Sequence, residues 1–151
     1  MFDLDEQEMI IRLFAALAAG AIIGFEREVR NRPAGLRTHA LASEGAALFT
    51  MAAILISIEA QKSGFAPSDP GRIISTIVQG IGFLAAGVIF AHHQKVHGLT
   101  TAAGLWVTAA VGVLCGAGLY FLALAATFAT TVVLALVKVL EDRMSPGKQF
   151  E

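Results

Sequence analysis

The chain has 151 residues, 56% of them hydrophobic, and only 15% are charged, against about 25% in soluble domains. That length allows one domain, and a mean hydropathy of +0.68 argues against an ordinary soluble one. A formal net charge of −1 gives no basic surplus for nucleic acid, so the placement of charge matters more than its sum.

The acidic start, MFDLDEQEM, lacks the positive region of a signal peptide, so the first apolar run is expected to remain in the protein. Runs near the roughly 20 residues that a crossing needs predict five spans, at about 9–25, 39–58, 73–91, 99–115 and 119–138. The first holds Arg12, expected to snorkel to the outer interface. Residues 63–71, rich in Ser, Gly and Pro, are a loop by composition. The block from Leu99 to Val137 carries no charge and is too long for one span. Gly116 and Gly118, around Ala117, predict the turn that divides it. The expected fold is an all-α membrane protein of five transmembrane helices in a single domain, 1–151. One bent helix over 99–137 is the alternative.

Basic residues are unevenly placed. Segment 26–38, Lys95 and the tail hold eight Lys and Arg, whereas Lys62 and Arg72 are the two on the alternate side. The positive-inside rule then puts the N-terminus outside and the C-terminus in the cytoplasm.

Residues 24–44, GFEREVRNRPAGLRTHALASE, put charge beside lipid-like sequence. Such charge persists when paired or used. Glu26 and Arg30 stand in the favourable order for a helical ion pair. Glu44 follows Arg37 by seven residues, on nearly the same helix face and about 8–10 Å deeper. A structural pair with Arg37 is the favoured reading, and a proton or cation role is the alternative. Thr38 and Thr101, or their neighbours, are expected to cap the second and fourth spans. Those helix starts, with Arg27, Arg30, Arg32, Arg37, Lys95, His39 and His97 around them, predict an anion patch for lipid phosphate or a partner's carboxylate. A pure topology signal is the bland alternative. His92, His93 and His97 lack nearby Cys or acidic ligands, so neither a metal site nor a cofactor is predicted.

Small residues recur every four positions at Ala16, Gly20 and Gly24, and at Gly104, Thr108, Gly112 and Gly116. Such stripes let helix backbones approach in lipid, within the chain or across a homodimer seam. The segment Ala18–Ile23 also resembles Ala85–Phe90, and Gly35–Thr38 resembles Gly98–Thr101. Two parallel helix hairpins, spans one–two and three–four, would explain the match.

The ordered motifs GFEREVRNRPAGLRTHAL, GAALF, GRI, GIGFLAAGVIF and HGLTTAAGLWVTAAVGVLCGAG resemble the MgtC/SapB family of bacterial inner-membrane proteins, over roughly residues 9 to 140. The family pattern falls on Gly24, Glu26, Arg27, Gly35, Leu36, Arg37, Thr38, Gly80, Gly82, Gly87, Gly98, Leu99, Thr101, Ala102 and Trp106. Of these, Gly24, Gly35, Gly80, Gly82, Gly87, Gly98 and Trp106 are expected at helix contacts. Glu44 stands where the family more often has an uncharged residue, and Ala85 replaces a usual glycine. The resemblance implies five spans, a link to growth in low magnesium and survival in macrophages, and for some members restraint of the ATP synthase within the membrane. Larger members add a soluble C-terminal domain, which a chain ending at Glu151 is expected to lack.

The function expected is therefore regulation by binding, with the bilayer, a membrane complex and a second copy of the chain as partners. An ion transporter or channel is the alternative. No nucleophile, base and orienting group assemble, so an enzyme is not expected. Cysteines introduced at Ser63 and Ser145 should label from opposite sides of the membrane. Equal labelling of both from outside would overturn the orientation.

Overall fold

The computed structural model describes residues 5–67, 69–92 and 95–144. Helix α1, Glu6–Val29, opens after Asp5 with Glu6 and Glu8 in its first turn, where the helix dipole favours negative charge. It stops at Arg30. Asn31 then takes a left-handed conformation (φ 53°), and the Arg32 N–H returns to Arg27 O at 3.0 Å. Helix α2, Leu36–Lys62, follows Gly35. Helix α3, Pro70–Gly87, has proline in its first position and Asp69 as cap, accepting from the Gly71 N–H at 2.8 Å.

Helix α4, Leu99–Gly116, and helix α5, Tyr120–Met144, divide the long uncharged block. Gly118 makes the break with φ 78°, while the Leu119 N–H reaches back to Leu114 O at 2.9 Å. Among the described residues α1, α2 and α4 are long and apolar enough to cross a membrane. Helices α3 and α5 contribute shorter apolar stretches, 71–87 and 120–136.

The connection between α3 and α4 contains a small hairpin absent from the expected all-α pattern. Strand β1, Phe90–His92, pairs antiparallel with β2, Lys95–His97, and the Phe90 and His97 rings stack 5.4 Å apart. His97 is thereby occupied in the hairpin, and His93 lies outside the described residues.

Helix α2 is packed between α1 and α4, and glycine makes both contacts possible. A Cβ at Gly20 would lie 2.5 Å from His39 O, and one at Gly24 would lie 2.7 Å from Leu36 Cα. From the other side, a Cβ at Gly112 would fall on Ser43 O, and one at Gly116 would lie 2.7 Å from Ala47 O. Small side chains fill the rest: Ala16, Ala47, Cys115 and Ala123 are buried around Ile23 and Val111. Both small-residue stripes thus face α2 within one chain. This is the internal-packing reading of the stripes.

Helix α3 meets a second buried cluster, Ala46, Ile81 and Ala109, through Ile77 and Ile81, and Ala85 is buried as well. Gly80, Gly82 and Gly87 have open space where a Cβ would stand, and Trp106 is half exposed. The three glycines have no neighbour at their Cβ positions inside the chain, unlike Gly20, Gly24, Gly112 and Gly116. The repeat survives only at the helix starts. Gly35 and Gly98 both precede a helix that begins with Leu, yet Gly35 has φ −106° and Gly98 φ +86°. Gly20 is pressed against α2, whereas its counterpart Gly87 stands free. Phe14, Phe49, Phe83, Phe121 and Phe128 point outward, as lipid-facing residues do.

Gly112→Ala should force α2 and α4 apart and cost about 1–3 kcal/mol of stability, the usual range for overpacking. Gly82→Ala should leave stability unchanged or raise it slightly. Reversible unfolding in detergent micelles distinguishes the two; equal stability for both variants would contradict the packing.

Candidate functional site

The last turn of α1 brings three charges to the end where α4 begins. Helical geometry sets Glu26 and Arg30 on one face and turns Arg27 toward α4. Arg27 is 4% exposed, and its Nη2 donates to Thr101 Oγ1 at 2.9 Å. Thr101 is itself buried, at the third position of α4. Glu26 Oε1 lies 2.5 Å from Arg30 Nε, and Glu26 Oε2 lies 3.7 Å from Arg27 Nη1. Arg30 also donates to Ala135 O of α5 at 3.3 Å. One helical turn therefore ties α1 to α4 and α5 by charge-assisted contacts.

The start of α2 is satisfied from within. Glu28 Oε2 accepts the Leu36 N–H at 3.0 Å, a bond that gives one unpaired donor of the helix end its acceptor. A Cβ at Gly35 would meet that carboxylate, so a larger residue there would displace the Glu28 side chain from the helix start. Gly35 and Gly98 precede α2 and α4 without side-chain caps, so Thr38 and Thr101 do not serve as N-caps. The negative partner expected for the α2 terminus is the chain's own Glu28.

The expected anion patch is accordingly split. Arg27, Arg30, Thr101 and Glu26 are brought together, but Arg37 and Thr38 stay exposed on the surface of α2. The reason is rotational: in α2 the inward face runs through His39, Ser43, Ala46, Ala47 and Thr50, and positions 37 and 38 turn away from it. Glu44 is half buried and lies on the flank of that face. No ion pair joins Arg37 and Glu44, whereas Glu8–Arg12, Glu26–Arg27 and Glu26–Arg30 do pair.

His39 was expected beside the patch but is buried completely. Its inward placement was signalled by small and polar residues at 39, 43, 46, 47 and 50, a seam inside an apolar span.

A second cluster occupies the opposite end, where sequence reasoning placed a snorkelling arginine. Arg12 is 5% exposed, and its Nη1 donates to Gly116 O at 2.9 Å, an unpaired carbonyl at the end of α4. Its Nε lies 3.1 Å from Glu8 Oε1, which also accepts from Tyr120 Oη at 2.7 Å. Gly118 makes room for the guanidinium, since a Cβ there would come within 2.8 Å of Arg12 Nη2. The i, i+4 spacing of Glu8 and Arg12 was the available signal.

Comparison with known proteins follows the same residues. The MgtC family profile matches residues 13–143. Protein MgtC of Salmonella typhimurium (strain 14028s / SGSC 2262) is 51% identical over 118 residues, covering 78% of this chain and 47% of that protein. Protein MgtC of Brucella abortus (strain 2308) is 48% identical over 126 residues, covering 83% of this chain and 50% of that protein. The chain spans about half the length of the curated relatives it matches. No solved structure matches it.

Thr101→Val keeps the shape of the side chain but leaves the buried Arg27 Nη2 without its acceptor. The expected loss is about 1–3 kcal/mol in detergent unfolding. Thr38→Val, on the exposed face, should stay within about 0.5 kcal/mol of the parent. Equal effects would mean that the Arg27–Thr101 bond contributes nothing to the fold.

Proposed function

The chain belongs to the MgtC family, and on that footing we propose that it is a membrane-embedded regulator acting by binding a partner complex rather than by moving ions. It works in the bacterial inner membrane with its C-terminus in the cytoplasm, during adaptation to low magnesium. The complex it engages is a membrane assembly such as the proton-translocating ATP synthase. Binding is its whole activity, with no covalent step.

One observation carries this reading: the arginines at membrane depth are held by the protein itself. Arg12 is bound to Gly116 O and Glu8, Arg27 to Thr101, and Arg30 to Glu26 and Ala135 O. A transport path needs polar groups free to exchange partners with a passing ion. The groove between α2 and α3, about 520 Å³, is instead walled by Leu41, Phe49, Ile77, Ile81 and Leu84. Self-association through either glycine stripe is no part of this reading, since both are covered by α2.

Glu44 favours the second reading. It is a half-buried carboxylate inside a span, with no ion pair among the described residues. In a regulator it meets a donor on the partner's helix; in a transporter it carries the exchangeable charge. Flux measurements on the purified chain in lipid vesicles separate the two. Magnesium and proton flux should equal that of empty vesicles. A flux above that level that disappears in Glu44→Gln, with the variant still folded, would overturn the regulatory reading in favour of transport.

A further inference from the structure

Hydroxyls inside the bundle are mostly satisfied locally. Thr50, Thr108 and Thr127 each donate to the carbonyl four residues back, at 2.7 to 2.8 Å. Among the buried polar atoms that depart from that pattern are Arg27 Nε, His39 Nε2 and Ser43 Oγ, which have no hydrogen-bond partner. Arg27 is 4% exposed, and His39 and Ser43 are 0% exposed. A buried polar atom left unpaired costs about 1–3 kcal/mol, so the acceptor at His39 Nε2 and the donor at Arg27 Nε each call for a partner.

The tautomer of His39 is fixed by its surroundings. Nδ1 lies 3.1 Å from Gly35 O, and a carbonyl oxygen only accepts, so Nδ1 carries the proton. In the neutral ring Nε2 is then a bare acceptor. It faces Gly104 of α4, one turn beyond the Thr101 that binds Arg27.

Gly104 differs from the glycines deeper in the same helix. Those at 112 and 116 are pressed against the backbone of α2, where a Cβ would collide. A Cβ at Gly104 would meet, outside its own helix, only His39 Nε2, at the ordinary contact distance of 3.6 Å. Close approach of the helices therefore does not explain this buried glycine. A small group has room there, beside an unsatisfied acceptor.

We propose that this space holds a single ordered water molecule, which donates to His39 Nε2 and turns its oxygen toward the Arg27 guanidinium. The alternatives fail on charge and on protons. A cation would stand against Arg27, the charged group whose field reaches His39. A halide would need protons on both Nε2 and Nδ1, and so a cationic imidazole buried in the same bundle as the Arg27 guanidinium. A neutral molecule that both donates and accepts fits both ends, and buried waters typically rest on two to four polar partners. The water makes His39, Arg27 and Thr101 one connected polar layer across α2, α1 and α4.

The test is solid-state NMR on the 15N-histidine-labelled 151-residue chain in lipid bilayers, with His39 assigned by the signal lost in His39→Gln. The expected result is an unprotonated Nε2 with a cross-peak to water protons, unchanged when chloride is replaced by gluconate. Gly104→Ser places a hydroxyl against Nε2, so the water cross-peak should vanish while the Nδ1–H tautomer persists. Gly104→Ala fills the same space with a methyl group and should also remove the cross-peak, should the serine variant fail to fold. An Nε2 without water contact in the parent chain would overturn the proposal. So would a protonated Nε2 that responds to chloride, which would assign the space to a halide.

Discussion

The closeness of α2 to both its neighbours is the constraint on which the rest of the structure depends. In lipid, apolar side chains gain little by leaving hydrocarbon for protein, so helices stay together through tight backbone contact and polar bonds. Gly20 and Gly112 approach Ser43 from opposite sides, and no residue larger than glycine fits at either position. That contact brings α1 and α4 near enough for Arg27 to reach Thr101. It also makes the interior too tight for loosely held solvent, so each polar group there must find a defined partner.

Sequence periodicity revealed the elements but left their neighbours open. Five helices, the break at Gly116–Gly118, the Glu26–Arg30 spacing and the two small-residue stripes were all legible, because each depends on separations of a few residues. A stripe of glycines looks the same whether its partner is another helix of the chain or a second copy. Its true partner, α2, emerged only from the packing. Arg12 illustrates the same limit. Near the end of an apolar run an arginine reads as snorkelling, yet here the terminus of α4 supplies a carbonyl that holds it inside. Glu28 capping α2 and His39 turning inward while Arg37 turns out likewise depend on which face meets which helix.

The placement of polarity has a bearing on function. Charges that a transporter would keep exchangeable are bound to fixed carbonyls, hydroxyls and carboxylates of the same chain. Large apolar residues, aromatic ones among them, are exposed along the helices, and the half-buried carboxylate of Glu44 lies on the flank of α2.

The two arginine clasps of α1 share one measure. Arg12 and Arg27 are fifteen residues apart, and so are Gly116 and Thr101, the groups they hold on α4. At about 1.5 Å per residue both intervals span roughly 22 Å, so the antiparallel helices are pinned at two matched points. Sliding one past the other by a single turn would break both clasps at once and bury two orphaned guanidiniums. The ratchet motion by which some helical proteins transmit signals is closed to this pair. The two helices can tilt together as a stiff rod, while α3, which meets the core through Ile77, Ile81 and Ala85, is held by apolar contacts alone among those described.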